Sequence, residues 1–89
     1  MIRLLNYKPE GKDIAFIGNR HGDTINNEIS DFCGQEVTKA LLDKLKHKPS
    51  GRVYFEKDGV NYRLYGGPSR AVTIPGKYCF HVYKYVLSK

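Results

Sequence analysis

Asp58-Gly59 separates two runs in which apolar and polar residues alternate, and no other feature constrains the fold of this chain as tightly. Both residues tolerate positive φ, which the favoured two-residue hairpin turn requires. A turn at that point pairs Lys57 with Val60, Glu56 with Asn61, Phe55 with Tyr62, Tyr54 with Arg63, Val53 with Leu64 and Arg52 with Tyr65. Side chains alternate across a strand, so Val53, Phe55, Tyr62 and Leu64 share a core face. Arg52, Tyr54, Glu56, Asn61, Arg63 and Tyr65 share the opposite one.

The remaining elements follow from similar patterns. Ile2, Leu4 and Leu5 open a strand, closed by the turn-rich stretch Lys8-Pro9-Glu10-Gly11-Lys12-Asp13. Ile14 to Ile17 reads as a second, buried strand bounded by Gly18-Asn19, and the pair suggests an N-terminal hairpin. Across residues 24–47, Ile25, Ile29, Phe32, Cys33, Val37, Ala40, Leu41 and Leu45 recur at helical spacing. Asp23 or Thr24 is suited to cap that segment, and Gly34 in its middle predicts a break. Lys44, Lys46 and Lys48 suit the negative end of the helix, which Pro49-Ser50-Gly51 closes. After the central hairpin come a loop at Gly66-Gly67-Pro68-Ser69, a short strand over Ala71 to Ile74 and a last strand from about Lys77 to Leu87. In that last strand Tyr78, Phe80, Val82 and Val86 share one face, and Cys79, His81, Tyr83, Tyr85 and Leu87 the other. The expected class is α+β: a mostly antiparallel sheet of about five strands packed on one helical segment, in a single small domain of residues 1–89.

Charge is unevenly placed along the chain. Residues 1–37 hold four basic and six acidic side chains, residues 38–89 eleven basic and three acidic, for a net charge of +6. From Gly59 onward there is no Asp or Glu, while tyrosines and cations interleave. A one-signed, aromatic-rich, strand-forming segment suits a polyanion, because cations meet phosphate and rings meet base faces. The expected partner is RNA or single-stranded DNA. Arg52, Tyr54, Arg63 and Tyr65 would form a stacking platform with Tyr83, and Arg70, Lys77 and Lys84 would contact phosphate. A recognition helix for duplex DNA is not evident, since the best face of the 35–47 helix is apolar. No run approaches the roughly 18 apolar residues of a membrane span, and no signal-peptide pattern opens the chain. Two cysteines, Cys33 and Cys79, are too few for a disulfide scaffold and read as cytoplasmic thiols.

Several rival readings use the same residues. Tyr and Arg also populate protein–protein hot spots, so a compact inhibitor or adaptor is the main alternative. Such an accessory protein, of the kind phages and mobile elements encode, would dock on a protein with an acidic surface, such as a nucleic-acid enzyme. The cross-strand Arg and Tyr residues are also what a merely solvated sheet uses as cation–π pairs. Lys44, Lys46, His47, Lys48 and Arg52 either grip a phosphate backbone or complement the helix end. His81 among cations admits a small metal-independent ribonuclease, although no second catalytic group is fixed by spacing. Cys79 and His81 offer two ligands on one strand face, short of a metal site, and no cofactor is expected. Arg20-His21-Gly22-Asp23-Thr24 is similar to the Arg-His-Gly-Glu-Thr signature of the histidine phosphatases, which would make His21 the phosphate acceptor and Arg20 its clamp. That family's domain is larger and draws a second His and further Arg residues from distant strands, and the likeness spans only about eight residues with Asp23 in place of the Glu, so it does not support the assignment.

Overall fold

The computed structural model describes residues 1–22, 25–68 and 78–86, with the backbone alone at residues 19–22. Five strands and two helices occupy them: β1 (Ile2–Leu5), β2 (Lys12–Gly22), α1 (Asn27–Cys33), α2 (Gln35–Leu45), β3 (Gly51–Lys57), β4 (Val60–Pro68) and β5 (Tyr78–Val86). The strands form one antiparallel sheet in the order β1-β3-β4-β5-β2. The α+β class expected from the sequence is the class observed.

The central hairpin has the expected register at every pair from Arg52–Tyr65 to Lys57–Val60. Asp58 and Gly59 take φ of 52° and 81°, as the turn demands. Val53, Phe55, Tyr62 and Leu64 are buried beneath the helices together with Phe80 and Val82 of β5. From the helical side Ile29, Cys33, Val37 and Leu41 enter the same core, while Ile25, Phe32, Ala40 and Leu45 pack around its margin. Gly34 does break the helical segment: it adopts φ 83°, ψ 162° and is at once the C-cap of α1 and the N-cap of α2. The cap of α1 is Asn26, whose side chain accepts from the Ile29 N–H at 2.9 Å, rather than Asp23 or Thr24. The helix also starts later than the periodicity suggests, at Asn27.

Three expectations are corrected. β1 and β2 do not form a hairpin but lie on opposite edges of the sheet. The turn-rich stretch between them is outweighed by what the central strands offer. β1 places Leu4 beside Phe55, joins Arg3 to Glu56 at 3.2 Å and brings the N-terminal ammonium within 3.2 Å of Asp58. β2 places Ile17 beside Val82 and delivers Asp13 to Arg63. Secondly, β2 is not the buried strand expected, since Ile14, Ala15 and Phe16 are exposed on the edge of the sheet, and it does not stop at Gly18-Asn19 but runs on to Gly22, with irregular pairing between Ala15 and Ile17 and again after Asn19. Thirdly, Gly66-Gly67-Pro68 belongs to β4 rather than to a loop. A Cβ at Gly66 would stand 3.1 Å from Leu41 and Phe80, so the glycine lets helix and strand close over it. The strand expected at 71–74 lies outside the described residues.

Because β1 and β2 flank the sheet, residues 6–11 must cross it. Four strand spacings are about 19 Å, within reach of the seven peptide units from Leu5 to Lys12. Leu5 and Tyr85 point away from the helices yet are buried, and so is Pro9. The connection therefore straps the hairpin-turn end of the outer face, where Glu10 lines an open concavity together with Asn61 and Tyr85.

Candidate nucleic-acid interface

Strand parity and register place the outer-face residues. Arg63 pairs with Tyr83, Tyr65 with His81, and Gly67 with Cys79. Arg52 stands opposite Tyr65 on the other side. Arg52, Arg63, Tyr65, Cys79, His81 and Tyr83 converge on an open groove of about 460 Å³. No helix covers it among the described residues, since α1 and α2 pack on the other face of the sheet.

Inside the groove the two arginines differ. The Arg63 guanidinium donates to Asp13 at 2.8 Å and lies 4.3 Å from the centre of the Tyr83 ring, with its side chain 16% exposed. Arg52 is exposed, and its side chain makes no ion pair among the described residues. Tyr65 folds its hydroxyl end over Gly67, where a Cβ would clash with the hydroxyl oxygen. The His81 ring lies over Gly18 in the same way and stands 6.1 Å from the Tyr83 ring. The Cys79 sulfur contacts His81 Nε2. Groups of three or more His, Cys, Asp or Glu able to hold a metal ion are absent among the described residues.

Of the eight residues expected to bind, Arg52, Arg63, Tyr65 and Tyr83 come together here. Tyr54 shares their face but lies in the strapped region, with its ring 6.2 Å from that of Tyr85. Burial of Tyr85 raises its hydroxyl pKa; Arg63 opposes the shift, and Tyr54 and Asp13 add to it. Lys84 projects to the opposite face, between Tyr62 and Ile14, and does not join the groove. Arg70 and Lys77 lie outside the described residues, as do the side chains of Arg20 and His21. The ring beneath Arg63 is that of Tyr83 on the next strand, rather than the Tyr54 ring that the reading as a merely solvated sheet offered. Asp13, the partner of Arg63, carried no local signal, because β2 reaches β4's neighbourhood only through β5.

A second concavity, of about 620 Å³, adjoins the first at the end of α2 and shares Arg52 and Tyr65 with it. Comparison with known protein families, curated proteins and solved structures finds no match to this chain. No helix of the described residues is long and apolar enough to cross a membrane.

Proposed function

We propose that the protein binds single-stranded RNA or DNA across the upper part of the sheet's outer face. The observation that carries this reading is the convergence of Arg52, Arg63, Tyr65, His81 and Tyr83 on one groove that neither described helix covers. Bases stack on Tyr65 and Tyr83, and Arg52 neutralises phosphate while also offering a planar cation. Each base–aromatic contact is worth about 1–3 kcal/mol, so two of them with a few phosphate contacts give micromolar affinity. Titrating a fluorescent single-stranded RNA into the nuclease-treated protein at low and at physiological salt tests the reading. Binding should weaken as salt rises and fall at least tenfold in an Arg52→Ala/Tyr65→Ala variant. Absence of binding at low salt overturns it.

A protein partner is the second reading, and one observation favours it. On the helix-side face, Ile14 and Phe16 are each 51% exposed and Val86 is 41% exposed, beside Lys12 and Lys84. A protein docking on that apolar corner would bind with less salt dependence than a phosphate chain, and its affinity would not respond to Arg52. Cleavage of the RNA that disappears in His81→Ala, with binding retained, would instead mark a ribonuclease.

A further inference from the structure

The basic residues at the end of α2 divide into two groups. Lys46 pairs with Asp43 at 3.3 Å, and Lys44 donates to the Arg52 carbonyl at 3.0 Å across the bare backbone of Gly51. These two lysines serve the helix and its junction with β3. Lys48, His47 and the Arg52 guanidinium make no ion pair among the described residues, and all three line the second concavity. Asp43, the acidic residue of that wall, is paired with Lys46. Ser50 adds a hydroxyl and Tyr65 a ring wall. The volume of about 620 Å³ is in the range of a small-ligand pocket and accommodates a phosphate with its sugar and base.

We propose that this concavity receives a terminal phosphate of the bound strand, an inference that rests on the single-strand reading and gives that strand an end. The last turn of α2 and the 46–50 turn wall the concavity on the helix side, while Arg52 and Tyr65 open it to the groove. A strand stacked along Tyr83 and Tyr65 therefore leads into this concavity, which shares Tyr65 and Arg52 with the groove. A terminal phosphomonoester carries nearly two negative charges near neutral pH, an internal linkage one, so Lys48 and Arg52, which make no ion pair among the described residues, discriminate in favour of the end. Tyr65 holds the last base and Lys48 and Arg52 the phosphate. The Ser50 hydroxyl supplies a third donor.

Three decauridylates test this: one with a 5′ phosphate, one with a 3′ phosphate and one with neither. One phosphorylated form should bind about tenfold tighter than the unphosphorylated one, a gain of about 1.4 kcal/mol. That ratio should collapse to near one in Lys48→Ala. Equal affinities of all three for the wild type overturn the pocket while leaving the groove. If none of the three binds, the single-strand reading fails, and the pocket is tested alone by titrating uridine monophosphate and uridine into nitrogen-15-labelled protein. Amide shifts confined to the neighbourhood of Lys48, Gly51 and Tyr65, given by the monophosphate and not by uridine, support a phosphate pocket. Shifts absent, or spread over all exposed lysines, overturn it.

Discussion

Arg63 shows how one side chain can belong to both the fold and the site. Its guanidinium lies against Asp13 and the Tyr83 ring, so its charge is largely compensated before any ligand arrives. Asp13→Asn keeps the shape and removes the compensation. An exposed ion pair contributes about 0–1 kcal/mol, and breaking a buried one costs about 3–5 kcal/mol. The half-buried Arg63–Asp13 pair falls between, so the variant should lose about 1–2 kcal/mol of stability in urea denaturation. The same change frees Arg63 for an anion, so RNA affinity should rise severalfold although stability falls. A destabilised variant with unchanged affinity would assign Arg63 to the fold alone. Among the described residues nothing restrains the Arg52 side chain in a comparable way, which makes it the cation of the groove most available to a ligand.

Among the elements, those specified by local chemistry were the readable ones. The β3–β4 hairpin follows from two turn residues and period-two alternation, and the helical break follows from Gly34. Gly34 and Gly59 permit a paired measurement, because both have φ near +80°. At Gly59 a Cβ would meet nothing within 4 Å, so Gly59→Ala reports backbone strain alone and should cost about 1 kcal/mol. At Gly34, ψ of 162° lies in a region almost reserved to glycine, and a Cβ would sit 3.2 Å from Ile2. Gly34→Ala should therefore cost about 2–3 kcal/mol and lower the melting temperature several degrees further than Gly59→Ala. Equal losses would mean that the helix junction relaxes freely. Pairings remote in sequence were not readable. The edges taken by β1 and β2 depend on partners tens of residues away, and with them the strap over Tyr54 and the Asp13 contact. Four of the eight expected binding residues meet because strand parity is a local property. Lys84 fails for the same reason, its even number placing it behind the groove.

At the scale of the whole molecule, the core of the described residues is one layer of side chains between two short helices and a sheet, so a charge introduced within it acts on the entire fold. Cys33 is fully buried there, and burial pushes its thiol up from 9.0 to about 12, opposed by the nearby charge of Lys57. Below pH 9 the thiol is protonated in both folded and unfolded chains and favours neither. Above pH 9 the unfolded chain releases the proton and the folded chain keeps it, so stability falls as pH rises, by about 1.4 kcal/mol per unit until the folded thiol also ionises. Tyr62 acts in the same sense, its pKa raised by burial and then by Asp58, and so does Tyr85. These hydroxyls titrate above pH 10 in the unfolded chain, so they steepen the upper part of the decline. Urea unfolding at pH 7, 9, 10 and 11 should give a constant free energy up to about pH 9 and then a loss of about 2–4 kcal/mol by pH 11. Cys33→Ala begins less stable at pH 7, because it leaves a small cavity, but holds its stability up to pH 10, with only the tyrosine-driven loss beyond. An unchanged free energy between pH 9 and 11 in the wild type would mean that Cys33 ionises as readily in the folded chain as in the unfolded one. Water would then reach the seam between α1 and the sheet, and the strands that shape the groove would lack a closed core behind them.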